Sequence, residues 1–489
     1  MSLNDTVLLV RPEPSRGLGA YYRNLGLSMV AAHVRHHGLR PQLVDLTFEA
    51  MSAASAQGAK AAVFSLYIDD FARGIEVAEQ LKKSDPGLTT FVGGPHATLL
   101  GTDVLAVTDA FDYVGVGDCL PEAMPVVAGA ALGRLTPDER LITGGGFAAR
   151  MDELAPDYSI WPGGRYFPVF PVEFSRGCRQ RCPFCTDPVL RRGLAIDPVE
   201  RTLATITALC REHGRIWVRF VDSSMSSLGK DLEQLLDALI AADLPVSWSA
   251  YAYPHDITAE LAEKMSRAGC VALFLGIESL GDGVRVGKHH TKRPEEVARA
   301  VDALHAHGIF VHGNFIIGLP GESAASVEQT LDGVAQVRFD SIGGGPFFLT
   351  PGSTFERSPE KFGIEILDPG WPARQHVNFY DSTHQYFRTA TLTQPEMRGL
   401  AAHFRTRVQD DGLACWNLSD YAALCWLSVG GQLPDLARLW GRDGEELTAA
   451  QRTVVDVLKE KTALKDPVGA AGFVDLAGQV ATSCTAVPV

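Results

Sequence analysis

The sequence lacks the features that bind nucleic acid or membranes. Lysine and arginine number 44 against 58 acidic residues, a formal net charge of −14. Basic residues never run longer than the pairs Lys82-Lys83 and Arg191-Arg192, so a polyanionic partner such as nucleic acid is disfavoured. Since no segment reaches the roughly 18 consecutive apolar residues that span a bilayer, we expect no membrane partner.

Export signals are missing and cysteine is sparse. The amino terminus has no basic region and only a short apolar run, which predicts a first strand rather than a signal peptide. The nine cysteines are mostly scattered, a pattern typical of the reducing cytosol, so we expect a cytoplasmic protein.

What is present is enough apolar sequence for several domains. Of 489 residues, 46% are hydrophobic, and a chain of this length is expected to form two to three domains. Composition shifts predict a first domain over 1–135, a glycine- and proline-rich linker over 136–165, a second domain over 166–385 and a helical third domain over 386–489. We expect a monomer.

Short apolar runs alternate with helical patterns in the first domain. This alternation predicts an α/β fold, a Rossmann-like doubly wound parallel sheet whose ligand site lies at the carboxyl ends of its strands. Two strand exits are rich in glycine, which lets a ligand approach the backbone closely. The predicted strands are 6–10, 41–46, 61–66, 89–94 and 112–117, and the exits are Gly93-Gly94-Pro95-His96 and Gly115-Val116-Gly117-Asp118.

Three cysteines, Cys178, Cys182 and Cys185, form a C-x3-C-x2-C array. Thiolates this close on one loop favour a soft metal centre, and three of them leave one iron of a four-iron cluster without a protein ligand. A zinc site is the alternative, although zinc prefers a fourth Cys or His nearby and none lies between Tyr166 and Leu203.

This triplet, with Phe184 before its last cysteine, resembles the cluster loop of the radical S-adenosylmethionine (SAM) enzymes. The resemblance implies a [4Fe-4S] cluster whose free iron chelates SAM, and reductive cleavage of SAM to methionine and a 5′-deoxyadenosyl radical. It also implies an electron donor such as flavodoxin or ferredoxin.

From Val169 to about residue 350, six βα repeats predict a partial (βα)6 barrel of the TIM type, with its reactive face at the carboxyl ends of the strands. By resemblance to the same superfamily, polar and apolar residues at these ends are expected to bind SAM: Phe184, Asp222, Ser223, Glu278, Ser279, Ile316 and Gly318. Candidate substrate-pocket residues are Tyr251, Tyr253 and Phe174. We interpret His289-His290 as part of a solvated loop rather than as metal ligands.

The first domain, with GGPHAT and GVGD at its strand exits, resembles the cobalamin-binding domain of B12-dependent radical SAM enzymes. The Asp-x-His-x-x-Gly motif that supplies a histidine to cobalt is absent, so we expect cobalamin without a histidine ligand. A degenerate Rossmann domain that binds nothing is the alternative. The resemblance implies cobalamin contacts at Arg11, Pro12, Ser65, Tyr67, Gly93, Gly94, Pro95, His96, Gly115 and Gly117.

The combined resemblance implies a methyltransferase that acts on an unactivated carbon of a natural-product or peptide intermediate. One SAM molecule would donate its methyl group by way of cobalamin, and a second would supply the radical. Two alternatives stay open: a rearrangement, cyclisation or ring contraction without methyl transfer, and a non-enzymatic, zinc-stabilised cobalamin-binding regulatory module.

Overall fold

The computed structural model describes residues 5–12, 23–48, 58–68, 70–134, 136–144, 149–163, 166–284, 292–370, 384–415, 420–432, 435 and 452. Two large sheets organise these residues, one of six strands and one of seven. Among the described helices, none is both long enough and apolar enough to cross a bilayer.

The amino-terminal sheet is entirely parallel, with strand order β2-β1-β3-β4-β5-β6. Its strands are β1 (Thr6–Arg11), β2 (Arg40–Asp45), β3 (Ala61–Ser65), β4 (Thr89–Gly93), β5 (Tyr113–Val116) and β6 (Leu141–Thr143). The helices that connect them are α1 (Leu25–His36), α2 (Phe71–Ser84), α3 (Pro95–Leu100), α4 (Asp103–Val107) and α5 (Leu120–Ala131).

Helices cover both faces of this sheet because its central strand is apolar on both sides. In β1, Val7 and Leu9 pack in the core that contains the apolar faces of α1 and α5. Leu8 and Val10 point the other way, into a core shared with α2 and α3. This two-sided burial confirms the expected doubly wound fold.

The second sheet is an open parallel barrel with strand order β17-β14-β13-β12-β11-β10-β7. Its six main strands are β7 (Val169–Val172), β10 (Ile216–Phe220), β11 (Val246–Ala252), β12 (Cys270–Glu278), β13 (Phe310–Ile317) and β14 (Ser341–Pro346), and β17 (Ala414–Cys415) adds a short edge. The helices α7 (Val199–His213), α8 (Lys230–Ala242), α9 (Ala259–Arg267), α10 (Pro294–His305) and α11 (Ala324–Gln336) alternate with them. The six βα repeats are therefore confirmed.

A short antiparallel hairpin interrupts the barrel after its first strand. It consists of β8 (Ser175–Gly177) and β9 (Leu194–Ile196), and it encloses the cysteine loop with the short helix α6 (Asp187–Leu190). The chain leaves the barrel before the cysteines, which are carried on the hairpin.

Strand pairing in the structure crosses two of the expected domain boundaries. The strand β6 pairs with β5, so the first sheet extends past residue 135 into the predicted linker. Near the end of the linker, Trp161 Nε1 donates to Ser28 Oγ over 2.9 Å, and just beyond the linker the Tyr166 hydroxyl donates to Asp45 Oδ2 over 2.7 Å, so this segment packs on the first domain.

The boundary at 385 is also crossed by pairing. The strand β16 (Phe387–Thr389) pairs antiparallel with β15 (Ile364–Ile366), downstream of the short helix α12 (Thr354–Arg357). The helix α13 (Gln394–Asp410) begins with a capping box formed by Thr393 and Glu396 and packs on β14. With α14 (Asp420–Ser428) packed against β10 and β11, the described part of the third domain belongs to the barrel.

Candidate active site between the two sheets

The carboxyl ends of both sheets face one cavity of about 1450 Å³. That volume exceeds the roughly 300–1,000 Å³ of ordinary ligand pockets, so the space suits more than one ligand. From the first sheet it is lined at the ends of β1, β3, β4 and β5, and from the barrel at the ends of β10, β11, β13 and β14. The cavity also continues as a groove between α1 and α5, where Met29 and Val30 face Met124 and Val127.

Nine of the ten residues expected to contact cobalamin line this cavity: Arg11, Pro12, Ser65, Tyr67, Gly93, Gly94, Pro95, Gly115 and Gly117. Gly94 has φ +96°, and a β-carbon there would lie 2.6 Å from the carbonyl oxygen of Leu66. A β-carbon on Gly115 would lie 2.8 Å from Cys119 Sγ. Packing against Leu66 and Cys119 therefore requires glycine at both positions, and the backbone of these strand ends lines the cavity without side chains.

His96 is the exception: it lies outside the lining of the cavity, and its contact with cobalamin stays a prediction. Its ring packs edge-on against Phe71 of α2, with 4.7 Å between ring centroids, and it does not line the cavity. Burial lowers the pKa of His96 to about 4, so the imidazole is neutral. The residue enters the core because it occupies the first turn of α3, on the side that faces α2.

Histidines that the sequence interpretation missed line the cavity instead: His33 and His36 of α1, and His37, which follows its last residue. His33 Nε2 lies 2.8 Å from Asp152 Oδ2, and His37 Nδ1 lies 2.9 Å from the carbonyl oxygen of His33. No local sequence pattern indicates this position for them, because the groove exists only once α5 and residues 149–154 have packed beside α1.

The three cysteines lie together on the hairpin loop, half-buried and without disulfides. Backbone N–H groups of Gln180 and Asp187 donate to the sulfurs of Cys178 and Cys185, each over 3.4 Å. Burial raises the pKa of Cys182 to about 11 and that of Cys185 to about 12. A metal bound here would therefore displace protons from the thiols.

Among the described residues, no three His, Cys, Asp or Glu side chains converge on a single ion. Zinc needs such convergence, whereas a cubic cluster takes each thiolate on a different iron atom. Three free thiols on one loop, two of them with N–H donors to their sulfurs, fit a [4Fe-4S] cluster.

Three of the predicted SAM-binding residues line the cavity beside the cysteine loop: Phe184, Ser223 and Ile316. The Ser223 hydroxyl donates to Asp187 Oδ2 over 2.9 Å, which connects the end of β10 to the cysteine loop. Gly318 follows β13 with φ +100°, and its N–H donates to Glu322 Oε2.

Asp222 is fully buried and does not line the cavity. Its carboxyl accepts hydrogen bonds from Ser175 Oγ over 2.5 Å and from the Phe174 N–H over 3.2 Å. Burial raises its pKa to about 7. In this structure Asp222 therefore holds the start of the cysteine hairpin against the barrel.

Glu278 ends β12 in a left-handed conformation, with φ +62°. Lys292, which is 4% exposed, donates to Glu278 Oε2 over 2.5 Å and to the Ile277 carbonyl over 3.0 Å. Strained backbone of this kind is common at functional sites. Lys292 was missed because it adjoins Arg293 in a basic stretch that looked solvated; the neighbouring His289-His290 lie outside the described residues.

Ser279 lies behind this site, because its hydroxyl is buried and donates to Glu322 Oε1 over 3.2 Å.

The three substrate-pocket candidates lie in different places in the structure. Tyr251 lines the cavity, whereas Tyr253 does not, and Phe174 is wholly buried in the core. His312 and Asn314 of β13, which the sequence interpretation missed, line the cavity near Tyr251; their i, i+2 spacing on a predicted strand was the available signal.

Ion pairs join the cysteine hairpin to the first sheet. Asp118, just after β5, lies with its Oδ1 3.3 Å from Arg176 and 3.6 Å from Arg191. Arg176 also binds Glu173, and all four side chains line the cavity. The two halves of the site are therefore fixed to one another by charge.

Comparison with known proteins agrees with this geometry. Residues 172–334 match the Radical SAM superfamily, and residues 17–119 match the B12 binding domain. The anaerobic magnesium-protoporphyrin IX monomethyl ester cyclase of Rubrivivax gelatinosus is 25% identical over 281 residues, covering 53% of this chain and 50% of that one. The bacteriochlorophyllide d C-12(1)-methyltransferase of Chlorobaculum tepidum is 29% identical, over 36% of this chain and 39% of that one.

The chain thus spans half or less of the length of these two relatives. The structure of the radical SAM methyltransferase TsrM from Kitasatospora setae, with cobalamin and a [4Fe-4S] cluster bound, superposes with a TM-score of 0.68 at 16% identity. That superposition covers 95% of this chain and all of TsrM, and it shows a shared fold. The chain thus joins a region that matches the B12 binding domain to a region that matches the Radical SAM superfamily, in a fold that it shares with TsrM.

Proposed function

We propose that this protein transfers a methyl group from SAM to an unactivated carbon of a natural-product or peptide intermediate. The observation that carries the proposal is the single cavity, lined both by the glycine-rich ends of β3, β4 and β5 and by residues of the cysteine loop. When bound, the cluster and the corrinoid supply a SAM-derived radical and a transferable methyl group.

Different residues of the cavity and of the cysteine loop would bind the cluster, the corrinoid and SAM. Cys178, Cys182 and Cys185 would hold the cluster, and the bare backbone at Gly94 and Gly115 would receive the corrinoid face. The groove between α1 and α5 has the shape and the apolar lining for the remainder of a corrinoid, with Met29 and Met124 among its residues. Phe184, Ser223 and Ile316 would bind SAM between the two cofactors.

Water exclusion follows from the packing around the cysteine loop. Thr350 donates to the Phe184 carbonyl over 2.8 Å, and the Phe355 N–H donates to the Pro183 carbonyl over 3.0 Å. These bonds fasten residues 350–355 over the loop, and the apolar core of Leu349, Phe355 and Tyr386 lies behind them. A radical formed there would be shielded from solvent by protein on that side.

The proposal also includes an electron donor, an oligomeric state and a cellular location. Reductive chemistry at a cluster needs a one-electron donor, for which we propose flavodoxin or ferredoxin. We propose a monomer in the cytoplasm, since both sheets contribute to one site within a single chain and the cysteines of the described residues are all free.

The product ratio tests methyl transfer. Anaerobic turnover of the reconstituted protein should release S-adenosylhomocysteine and 5′-deoxyadenosine in near-equal amounts, and label from the SAM methyl group should appear in the product. Release of 5′-deoxyadenosine with substrate consumed and no S-adenosylhomocysteine would instead show a rearrangement or cyclisation. If protein isolated anaerobically contained stoichiometric zinc and no iron, the protein would instead be the zinc-stabilised, non-enzymatic regulatory module.

A further inference from the structure

A buried lysine, Lys292, binds the last residues of β12. Its side chain is 4% exposed, and its Nζ donates to Glu278 Oε2 over 2.5 Å and to the Ile277 carbonyl over 3.0 Å. The ammonium also lies over the Tyr253 ring, 5.0 Å from its centroid. Because a buried ion pair contributes little net stability, these two charges indicate a role other than folding.

The backbone around Glu278 is shaped to aim its carboxylate. The pairing of β12 with β13 shifts register between Gly276 and Glu278, and Glu278 has a φ of +62°. The carboxylate lies over Gly276, where a β-carbon would be 2.6 Å from Glu278 Oε1. Irregularities of this kind re-aim side chains next to functional sites. With Oε2 bound by Lys292 and Oε1 over Gly276, the carboxylate is held at both oxygens.

Both charges of this pair act on the cysteine loop. Burial is the main reason that the pKa of Cys182 is raised to about 11; the Glu278 carboxylate adds to that rise, and the Lys292 ammonium opposes it. Burial also raises the pKa of Tyr253, and the charges of Glu278 and Cys182 add to that rise. The ion pair therefore lies near the middle cysteine of the loop.

Carboxylates act on the other two thiols. Burial raises the pKa of Cys178 and of Cys185, and the Asp187 carboxylate adds to both rises. The Asp256 carboxylate adds further to the rise at Cys178. Among the described side chains that shift these three pKa values, Lys292 supplies the positive charge.

Charges close to an iron–sulfur cluster help to set its reduction potential. The cluster gains one electron as a reduced protein donor such as flavodoxin or ferredoxin loses one. A nearby carboxylate makes this gain less favourable, and a nearby ammonium makes it more favourable. Since Lys292 is almost fully buried, dissolved salt screens its charge only weakly.

We propose that Lys292 is a positioning residue that fixes the Glu278 carboxylate beside Cys182 and offsets its charge there, so that the pair sets the reduction potential of the bound cluster. This inference rests on the proposed function, because it requires a [4Fe-4S] cluster on the three cysteines. It concerns the reduction of the cluster and is independent of where the methyl group goes.

The test measures the midpoint potential of the cluster in the full-length, anaerobically reconstituted protein at pH 8, without SAM, by redox titration followed by electron paramagnetic resonance. Lys292→Met removes the ammonium and leaves the Glu278 carboxylate unpaired. At a fixed potential the ratio of reduced to oxidised cluster should fall about tenfold, a shift of about 60 mV to more negative potential for one electron. Glu278→Gln should shift the potential in the opposite direction, and the double variant should return close to the parent.

Two further variants separate charge from packing. Lys292→Arg keeps the positive charge and should stay within about twofold of the parent ratio, well short of the tenfold change above. Lys264→Met is the matched control, because Lys264 of α9 pairs with Asp237 of α8 over 2.8 Å, in the helical layer outside the barrel; its potential should equal that of the parent. Iron content is measured in every sample, and if Lys292→Met holds no iron, the opposite shift in Glu278→Gln decides the test.

An unchanged potential in Lys292→Met would overturn the proposal. Shifts of the same sign in Lys292→Met and Glu278→Gln would also overturn it, since a purely structural disturbance of the loop does not depend on the sign of the charge removed. Absence of iron from the parent protein would refute the proposed function and this inference together. Failure of methyl transfer in a parent protein that holds the cluster would refute the proposed function alone.

Discussion

The two parallel sheets face the same cavity with opposite chemistry. The amino-terminal sheet presents backbone and glycine, at Gly93, Gly94 and Gly115. The barrel and its hairpin present charged side chains, among them Glu173, Asp187 and Arg219. Both sheets use the carboxyl ends of their strands, so the difference lies in the residue types that the chain places there.

This difference matches two ways of holding a cofactor. A large, flat ligand is bound over a wide area and needs close approach more than charge, so side chains would only obstruct it. A small reactive centre needs a few groups in fixed positions, each held by further hydrogen bonds. Asp222, which bonds to Phe174 and Ser175 at the root of the cysteine hairpin, is such a supporting group.

The largest expected effect is the loss of the cluster with corrinoid binding retained, which would show that each sheet holds its cofactor independently. Changing any one of Cys178, Cys182 or Cys185 to Ala should abolish cluster assembly and formation of 5′-deoxyadenosine, because three thiolates are needed to hold the cluster. Corrinoid uptake should be unchanged. Iron analysis and absorbance spectra measure both.

Cys210→Ala is the control, since Cys210 is buried on α7 away from the site, and it should keep both cofactors. Loss of corrinoid in the cluster variants would show that the first sheet depends on the second, contrary to the division described above.

Gly94→Ala is expected to have the opposite effect: it should weaken corrinoid binding and leave the cluster in place. Its φ of +96° is strained for alanine, and the added carbon would meet the Leu66 backbone at 2.6 and 2.8 Å. We expect a loss of about 2–4 kcal/mol of stability, at least a tenfold loss of corrinoid affinity, and a normal iron content.

Gly101→Ala tests whether strain alone is responsible. Gly101 also has a positive φ, +56°, but no atom lies within 4 Å of its β-carbon position. It should cost about 1 kcal/mol and leave corrinoid binding intact. A similar corrinoid loss in both variants would contradict the close-approach explanation.

The smallest expected effect is on the pH dependence of folding stability, and it arises from a residue of the barrel. Burial raises the pKa of Glu322 from its ordinary value to about 7, and its carboxyl accepts from Ser279 and from the Gly318 N–H. The folded state therefore keeps the proton that the unfolded chain loses near pH 4.5. The stabilisation is complete below about pH 4.5 and is lost as the pH rises to 7, by about 3 kcal/mol at most.

Glu322→Gln should remove this dependence, because the amide does not ionise. The difference in melting temperature between the variant and the parent should favour the variant increasingly from pH 5 to pH 8. A difference that is constant with pH would show that Glu322 is ionised in the folded protein.

Much of this architecture could be predicted from sequence because it depends on short-range spacing. The cysteine triplet, the alternation of strands and helices, and the glycines at Gly93 and Gly115 are local patterns. In the structure both glycines line the cavity, and the cysteine loop lies beside it. The strand order and the open barrel follow from the regular βα repeat.

The rest depends on contacts between distant residues. Which way His96 turns is decided by Phe71 of α2, and the burial of Asp222 is decided by the hairpin that begins at Ser175. Lys292 and His312 are an ordinary basic residue and an ordinary strand residue until Glu278 and Ser341 are beside them. A strand end can be located from periodicity, whereas the direction and partners of its side chains come from tertiary packing.

The ion pair between Asp118 and Arg176 bears on modular protein engineering. Arg176 stands two residues before Cys178, and it binds the first sheet through Asp118 and the Arg150 carbonyl. A chimera that takes its amino-terminal sheet from a relative would leave this 12% exposed side chain facing a foreign surface. Exchange of corrinoid domains among such proteins therefore requires the acidic residue after the fifth strand to travel with the arginine of the cysteine hairpin.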